Sequence, residues 1–370
     1  MTAEGKKLMR IGIIGLPNSG KTTIFNVLTG GSAPTAAYAG GTFQVNTAIV
    51  NVPDTRVDAL SDMYHPKKTI YARVEYADIA GMSGTEDKER NASLSGELMN
   101  AMANNDALLH VVRAFADENV PHPLETIDPA RDMANLDAEL SLSDLSKIEN
   151  RLERLQENIK RGKVIPTFEE DQKEAELLIR LKPHVEQGLP IRDFALTDDE
   201  EKRLRGYQFL SAKPLMIVFN LGDEDEAPQI EYPHQKSALI AVRGRLEMDI
   251  AQLDDDDDRA MFMEEYSLTE LSAERIIRQS YSLLGKMNFF TVGEDEVRAW
   301  EVNQSATAVE CAGAIHSDLA RGFIRAEVFS YDDLMATGSE AAVKSAGKLK
   351  LEGKEHVIND GDIISVRFNV

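Results

Sequence analysis

The sequence predicts an α/β protein whose parallel sheet is interrupted by a helical hairpin and followed by a small α+β domain. Three observations support this prediction. Residues 8–127 alternate strand-like apolar runs with amphipathic helical segments, as parallel α/β sheets do. Residues 130–187 instead repeat apolar side chains at the helical spacings of three and four. Residues 286–370 contain short β-rich runs separated by turn residues, as small ubiquitin-like domains do.

Length and composition indicate a globular protein of two or three domains. The chain has 370 residues, of which 42% are hydrophobic and 28% are charged, and this length exceeds one ordinary core. No apolar run approaches the roughly 20 residues that span a bilayer, and the first residues lack the apolar core of a signal peptide. The single cysteine, Cys311, excludes an internal disulfide framework and fits a reducing compartment. We therefore expect a cytoplasmic protein with no membrane partner, and we expect a monomer.

The net charge of −22 argues against a dedicated RNA-binding protein. Tight binding to a phosphate backbone depends on lysine and arginine side chains that displace counterions. The best basic cluster lies near the C-terminus and comprises Lys344, Lys348, Lys350 and Lys354. This cluster is equally well explained as an RNA contact or as a solvated surface.

Residues 15–22 read Gly-Leu-Pro-Asn-Ser-Gly-Lys-Thr, which is a complete G-x-x-x-x-G-K-T phosphate-binding loop. A strand precedes this loop and a helix follows it, as its mechanics require. Gly15 and Gly20 let successive backbone N–H groups point at a phosphate chain, and the positive end of the helix adds to that field. Lys21 can reach the β- and γ-phosphates, and the Thr22 hydroxyl can ligate Mg²⁺. The residues expected to bind the nucleotide here are Asn18, Ser19, Gly20, Lys21, Thr22 and Thr23.

A second motif predicts the magnesium site and the hydrolysis step. In Asp78-Ile79-Ala80-Gly81, Asp78 can hold Mg²⁺ through a water, and the Gly81 N–H can sense the γ-phosphate. Thr42 is the candidate for a second hydroxyl ligand, with Thr35 and Thr47 as competitors. The expected metal ligands are Thr22, Thr42 and Asp78, and the expected catalytic residues are Lys21 and Gly81.

A third motif, Asn220-Leu221-Gly222-Asp223, stands where GTPases carry Asn-Lys-x-Asp to read guanine. Leu221 replaces the lysine whose aliphatic stem packs over the base, so the preference for guanine should weaken. Asp223 could still accept hydrogen bonds from guanine, whereas the adenine amino group could donate to Asn220 or to a backbone carbonyl. The motif therefore predicts a purine site, contributed by Asn220, Leu221 and Asp223, and leaves ATP and GTP open.

The remaining elements follow in order along the chain. Predicted strands of the α/β sheet cover residues 9–14, 44–51, 72–78, 107–112, 215–219 and 238–242. The helical hairpin lies between the fourth and fifth of these strands and breaks at Gly162 and Pro166. The expected domains are a nucleotide-binding domain over 1–128 and 206–285, a helical coiled-coil insert over 129–205 and a C-terminal domain over 286–370.

Taken together, these motifs resemble the YchF/Obg-like ATPase family of the translation-factor class of P-loop GTPases. The resemblance runs nearly end to end. It is carried by the strings Gly15–Asn18, Val52–Asp58, Asp78–Gly81, Leu109–Arg113, Glu296–Trp300, Gly322–Val328 and Arg367–Val370. It implies a GTPase-like domain, a coiled-coil insert and a C-terminal TGS domain. It also implies a preference for ATP over GTP and association with ribosomes, with RNA contact through the TGS domain as one route.

The resemblance further implies hydrolysis without the usual glutamine, because the residue after the Asp-x-x-Gly motif is apolar in the family and is Met82 here. Asn18 matches a loop asparagine that is linked in related proteins to K⁺-stimulated turnover, so K⁺ joins Mg²⁺ as an expected cofactor. Three features depart from the family pattern: the loop over 83–90, Arg243-Gly244-Arg245, and Asp223 in place of a glutamate. These departures indicate a divergent member.

Two functions compete at this point. The first is a slow Mg²⁺-dependent nucleoside triphosphatase that reports its nucleotide state to a partner, with water as nucleophile and no side chain assigned as its base. The second is a nucleotide-loaded binding module with little or no hydrolysis, which Met82 and the loop over 83–90 favour. The intact magnesium set favours the enzyme.

Overall fold

The computed structural model describes residues 8–30, 36–40, 43–79, 96–162, 166–253, 255–266 and 268–369. These residues form two compact units. The larger unit lies within residues 10–48 and 75–273, and the smaller consists mainly of residues 49–74 and 274–369. None of the described helices is long and apolar enough to cross a bilayer.

The described secondary structure alternates strands and helices before residue 115, is helical between residues 129 and 207, and combines strands with helices again from residue 215 onward. The strands are β1 (Met9–Ile14), β2 (Ala36–Gly40), β3 (Phe43–Asn51), β4 (Thr69–Ile70), β5 (Arg73–Ile79), β6 (Ala107–Ala114), β7 (Leu215–Leu221), β8 (Ser237–Val242), β9 (Lys286–Thr291), β10 (Val297–Asn303), β11 (Phe323–Ser330), β12 (Lys350–Glu352) and β13 (Asp362–Phe368). The helices are α1 (Lys21–Thr29), α2 (Thr55–Tyr64), α3 (Gly96–Ala103), α4 (Pro129–Lys160), α5 (Phe168–Glu186), α6 (Asp198–Leu204), α7 (Gly244–Ala251), α8 (Asp256–Glu265), α9 (Ser272–Leu283), α10 (Ala308–Ile315), α11 (Ser317–Arg321), α12 (Tyr331–Thr337) and α13 (Glu340–Ser345).

The larger unit is built on a seven-stranded sheet with the strand order β2-β3-β5-β1-β6-β7-β8. Strands β1, β6, β7 and β8 run parallel, with Ile14 opposite His110 and Arg113 opposite Asn220. These strands are continuous apolar runs in the sequence because a parallel sheet is covered on both faces. Their carboxyl ends meet at one edge of the sheet, which is where ligands bind in open α/β folds.

Helices α4 and α5 form the predicted helical hairpin. Asp128 caps α4 by accepting a hydrogen bond from the Arg131 N–H at 3.0 Å, and Pro129 fills the first helical position. Apolar side chains of both helices meet in one seam, which includes Ile148, Leu152, Leu155, Leu178 and Leu181. Ile148, Leu152 and Leu155 of α4 therefore form the contact with α5, whereas Met133 and Leu140 of α4 pack in the apolar core of the sheet.

The smaller unit contains a six-stranded sheet with the strand order β12-β11-β13-β9-β10-β4. Strand β10 pairs with β9 in antiparallel fashion on one side and with β4 in parallel fashion on the other. One face of the sheet packs on an apolar core that includes Phe289, Trp300, Cys311 and Ile364. Cys311 is thus a small buried residue, as its sequence context suggests.

This division of the chain differs from the predicted boundaries at two points. The prediction places residues 49–74 in the nucleotide-binding domain, whereas the structure groups them with the C-terminal residues. The prediction also sets the helical insert apart, whereas the structure groups it with the α/β sheet. Hydrogen bonds explain both differences, since β4 joins the ladder of β10 and the buried Asp144 of α4 accepts from the Leu210 and Ser211 N–H groups.

Candidate nucleotide-binding site

The loop between β1 and α1 has the backbone that its glycines predict. Gly15, Asn18 and Gly20 have φ angles of 149°, 63° and 93°, in a region that glycine enters at little cost. A Cβ atom on Gly20 would lie 2.1 Å from the side-chain nitrogen of Asn220, and one on Gly15 would lie 2.4 Å from the Val111 carbonyl oxygen. A larger residue at either glycine would therefore displace the loop.

Lys21 begins α1, and its side chain folds back over the loop. Its ammonium group donates to the carbonyl oxygens of Gly15 and Leu16 at 3.1 and 2.9 Å. Burial lowers the pKa of Lys21, and the nearby Asp78 carboxylate opposes this change. A cation held beside the N-terminus of a helix is an arrangement that binds phosphate.

Asp78 lies near the end of β5, against the start of α1. The Thr22 hydroxyl donates to Asp78 Oδ2 at 3.0 Å. The other carboxylate oxygen, Oδ1, is buried and has no hydrogen-bond partner among the residues that the structure describes. Burial raises the pKa of Asp78, and the Thr22 hydrogen bond and the Lys21 ammonium oppose that rise. A buried carboxylate oxygen without a partner, next to a hydroxyl, is a donor set that fits a divalent cation.

This donor set suits Mg²⁺ in combination with a phosphate ligand. Within the described ranges, no group of three His, Cys, Asp or Glu side chains could hold a metal ion by itself. Mg²⁺ is usually held by one or two carboxylates together with waters and substrate phosphates. One carboxylate and one hydroxyl beside a phosphate-binding loop match that pattern.

Asn220, at the end of β7, connects two parts of the site. Its side-chain nitrogen donates to the Ser19 carbonyl oxygen at 3.0 Å, and its side-chain oxygen accepts from the Gly244 N–H at 3.3 Å. It therefore fixes the phosphate-binding loop against the start of α7. The Ser19 hydroxyl is buried and finds no partner in the described part of the chain, so this position also has an unused hydrogen-bonding group.

The rest of the base-reading motif is divided between the core and the surface. Leu221 is buried in the main apolar cluster of the larger unit, so its side chain belongs to the core. The Gly222 N–H donates to the Asp225 carboxylate at 2.9 Å, and this bond closes the turn that follows β7. Asp223 is exposed. Of the predicted base-reading side chains, Asp223 is therefore accessible to a ligand and Leu221 is not.

Sequence reasoning missed the segment that follows β6. Arg113, near the end of β6, is buried, donates from Nε to the Phe115 carbonyl oxygen at 3.1 Å, and holds its guanidinium 4.4 Å from the centre of the Phe115 ring. Asn18 of the phosphate-binding loop donates to the Pro121 carbonyl oxygen at 3.0 Å. Phe115 also borders the base motif, since its Cβ would lie 3.7 Å from a Cβ on Gly222. The sequence signal that could have indicated this segment is an arginine and a phenylalanine, Arg113 and Phe115, at the end of an apolar strand.

His110 is a second residue of β6 to which the sequence motifs assign no role. It lies opposite Ile14 at the end of β1 and is 2% exposed. Burial, with a smaller contribution from the Lys21 ammonium, lowers the pKa of His110 to about 3. The imidazole beside the phosphate-binding loop is therefore neutral at physiological pH.

The structure brings five of the predicted site residues into one network of contacts. They are Ser19, Lys21, Thr22, Asp78 and Asn220. Thr23 lies in the first turn of α1, and Thr47, a competitor for the metal, lies buried within β3. The other predicted residues, Thr42 and Gly81, lie outside the described residues, as do Thr35 and Met82.

The fold and this network define the class of protein, which is a P-loop nucleotide-binding protein with the sheet of a GTPase. A family model described as a 50S ribosome-binding GTPase matches residues 10–165. The model YchF-GTPase_C, described as a protein of unknown function, matches residues 287–369. The matches cover both the phosphate-binding loop and the C-terminal sheet.

Whole-chain comparisons give the family. The ribosome-binding ATPase YchF of Bacillus subtilis is 39% identical over 369 residues, which cover 97% of this chain and 99% of the relative. The protein of the same name from Haemophilus ducreyi is 37% identical, with 98% and 99% covered. The structure of the Schizosaccharomyces pombe YchF GTPase has a TM-score of 0.83 at 28% identity, with 98% and 99% covered. The chain belongs to the YchF family, and the resemblance seen in its motifs is confirmed.

Proposed function

We propose that this chain is a Mg²⁺-dependent nucleoside triphosphatase that hydrolyses ATP slowly and acts as a nucleotide-dependent switch on the ribosome. The observation that carries the proposal is the hydrogen bond from Thr22 to Asp78, with the Lys21 ammonium near enough to act on that carboxylate electrostatically, and with the other, buried Asp78 oxygen lacking a partner within the described ranges. The names of the bacterial relatives, ribosome-binding ATPases, support both the ATP and the ribosome.

Each residue has a specific part in this function. Lys21 and the loop N–H groups stabilise charge on the phosphate that is transferred. Thr22 and Asp78, with Thr42, hold the metal, and Gly81 contacts the γ-phosphate through its N–H. Mg²⁺ held there would neutralise charge on the phosphates. Water is the nucleophile.

Asn18 supports K⁺ as a second cation. Its positive φ angle and its hydrogen bond to the Pro121 carbonyl oxygen fix its side chain at the top of the loop. The amide oxygen is a ligand of the kind that K⁺ accepts. We expect turnover to be higher in K⁺ than in Na⁺, and Asn18→Ala to remove this difference.

The choice of ATP over GTP rests on Leu221. Because Leu221 packs in the core, the platform that a lysine gives to guanine is missing from this motif. Asp223 remains exposed and could accept from guanine N1 and N2, so GTP is the alternative substrate. Asp223→Ala should leave ATP affinity nearly unchanged, and it should weaken GTP binding if that carboxylate reads guanine.

The test is equilibrium binding and single-turnover hydrolysis on one preparation. ATP and GTP analogues are titrated by calorimetry with Mg²⁺, and hydrolysis is followed with and without ribosomes and K⁺. We expect tighter binding of the ATP analogue and measurable ATP turnover. Absence of binding by either nucleotide would overturn the proposal. Binding without turnover in any condition would instead support the nucleotide-loaded module.

RNA contact through the C-terminal domain is a narrower part of the proposal. Lys344, Lys348, Lys350 and Lys354 remain its candidates, although Lys348 already pairs with Asp333 at 2.6 Å. Binding to ribosomal RNA that persists at high salt in the isolated protein would raise the importance of this cluster, since counterion-driven binding weakens with salt.

A further inference from the structure

We propose that residues 49–74 form a lever that carries nucleotide-dependent movement from the magnesium site to the C-terminal sheet. We call this segment the arm. The inference rests on the proposed function, because it needs a nucleotide at the phosphate-binding loop. It also gives a role to two sequence features that the nucleotide site leaves unused, the string Val52–Asp58 and the turn Asn359–Asp362.

The position of the arm in the chain links it to the expected metal ligands. It lies between Thr42 and Asp78, the two residues expected to bind the metal from outside the phosphate-binding loop. Strand β3 runs without a break into the arm, and β5 runs without a break out of it and on to Asp78. A movement of either strand at the metal therefore reaches the arm through extended, hydrogen-bonded backbone.

The arm is part of the C-terminal sheet. Its strand β4 pairs in parallel with β10, with Thr69 opposite Val297 and Ile70 opposite Arg298. The Val297 N–H donates to the Lys68 carbonyl oxygen at 3.0 Å. Adding a strand to a sheet edge binds two segments through main-chain hydrogen bonds. The arm therefore supplies the edge strand of the C-terminal sheet, and a shift of the arm acts on β10.

An arginine of the arm, Arg56, connects Asp54 of the arm with Asp360 near the C-terminus. Arg56, in the first turn of α2, donates to Asp54 from Nε and Nη2 at 2.9 Å and to Asp360 from Nη1 at 2.7 Å. Asn288 of β9 donates to the same two carboxylates, from its backbone N–H to Asp360 at 2.9 Å and from its side chain to Asp54 at 3.3 Å. Bidentate arginine pairs of this kind fix geometry as well as adding energy.

The surroundings of Arg56 show that the C-terminal domain is shaped to receive it. The guanidinium lies 5.0 Å from the centre of the buried Phe290 ring. Gly361 has a φ angle of 89°, and a Cβ there would lie 2.9 Å from Arg56 Nη1. Gly361 is therefore suited to this turn for two reasons: it adopts a positive φ angle, and it has no side chain to collide with Arg56. This explains the glycine of the Asn-Asp-Gly-Asp turn beside Asp54 and Arg56.

The strand that pairs with the arm carries a natural reporter. Trp300 is the single tryptophan of the chain, and Arg298, which lies opposite Ile70 of the arm, stacks on it at 3.9 Å from the ring centre. A shift of β4 would change the position of this cation over the indole. Tryptophan emission therefore reads movement of the arm within the C-terminal sheet.

The test uses the full chain and titrates it with a non-hydrolysable ATP analogue and Mg²⁺. Binding is measured by calorimetry and arm movement by Trp300 emission, with hydrogen exchange of residues 286–303 as a second measurement. We expect the emission of the unmodified protein to change in parallel with binding. In Asp360→Asn, which loses the charge that holds Arg56, we expect binding to persist and the emission change to fall by roughly fivefold or more.

Asp295→Asn is the matched control. It also removes a carboxylate that pairs with the arm, through Lys67 at 2.7 Å, but that pair is exposed on both sides. This variant should respond like the unmodified protein. Arg56→Lys serves as a second variant if Asp360→Asn does not fold, and it should also lose the response.

Three results would overturn the lever. One is binding of the analogue with no change in Trp300 emission or in exchange of residues 286–303. Another is a full response in Asp360→Asn or Arg56→Lys. The third is the absence of any calorimetric binding, which would overturn the proposed function together with the lever, so the two failures are distinguishable.

Discussion

The molecule contains two polar clusters that differ in burial and in how completely their hydrogen bonds are satisfied: Asp78 of the first is 2% exposed, whereas the Asp360 side chain of the second is 53% exposed. At the phosphate-binding loop, Asp78 Oδ1 and the Ser19 hydroxyl lack partners among the residues that the structure covers. In the C-terminal unit, all four carboxylate oxygens of Asp54 and Asp360 accept hydrogen bonds, and Arg56 supplies most of the donors. Both clusters place carboxylates beside a cation, so charge alone does not distinguish them.

The difference shows how a binding site is separated from a structural network. A buried polar group without a partner costs free energy, and most buried groups in folded proteins therefore have one. At the phosphate-binding loop, a bound nucleotide and its metal would provide the missing partners of Asp78 and Ser19. The Asp54–Arg56–Asp360 network, by contrast, is complete by itself and holds two segments of chain together.

The largest expected effect is the loss of hydrolysis in Lys21→Ala. Removing the cation that stabilises the transferring phosphate should lower turnover by about 10²- to 10³-fold. Lys213→Ala is the matched control, because Lys213 also donates to two backbone carbonyls, those of Ala103 and Asn105, but lies outside the site. Single-turnover assays should show near-normal hydrolysis in folded Lys213→Ala. Equal losses in both variants would mean that Lys21 serves the fold and not the reaction.

The next effect concerns the stability of the C-terminal unit. Arg56→Ala leaves the Asp54 carboxylate, which is 9% exposed, without its cation, which should lower the free energy of unfolding by about 1.5 to 3 kcal/mol. Denaturant unfolding followed by the emission of Trp300 measures this unit specifically. An unchanged midpoint would show that the network contributes little to stability, and the contrast between the two clusters would then lose its basis.

The sequence predicted the phosphate-binding loop well because its function is local. Eight consecutive residues set the backbone, and the flanking apolar strand and helix set the context, so Lys21 and Thr22 follow from the pattern alone. Asp78 was predicted in the same way, from an Asp-x-x-Gly motif at the end of a buried strand. In each case the residues that determine the structure are neighbours in the chain.

What the sequence could not predict is long-range. Arg56 and Asp360 are separated by 304 positions, and no local pattern indicates that they meet. The same limit explains why residues 49–74 were assigned to the nucleotide-binding domain, since β4 has two residues and its partner β10 lies far along the chain. Arg113 was missed because its contacts with Phe115 depend on a turn without a recognised motif.

A smaller effect is expected at Asp78, where substitution should raise the free energy of unfolding, whereas Arg56→Ala should lower it. Burial raises the pKa of Asp78 above its usual 3.8, so the folded state binds this proton more tightly than the unfolded state does. The free energy of unfolding should therefore fall as pH rises from 3.8 through the raised pKa. Asp78→Asn removes this dependence and should stabilise the nucleotide-free protein near neutral pH by about 1 kcal/mol.

The same substitution should weaken Mg²⁺-dependent nucleotide binding, because it removes the charged metal ligand. Thermal unfolding of Asp78→Asn across pH, without and with Mg²⁺ and ATP analogue, measures both results. A variant that is less stable than the parent near neutral pH would indicate that Asp78 belongs with the satisfied cluster.

The smallest effect is expected for Asp295→Asn, and it tests whether burial is what separates a strong pair from a weak one. Asp295 and Lys67 are 87% and 78% exposed, so water and salt screen their attraction and ordering two long side chains offsets it. The unfolding midpoint read by Trp300 should match that of the unmodified protein at low and at high salt. The deficit of Arg56→Ala should persist at high salt, because ions reach the partly buried guanidinium poorly. A loss of stability in Asp295→Asn as large as that in Arg56→Ala would contradict this expectation. It would mean that charge, and not burial or main-chain pairing, holds the arm to the C-terminal sheet.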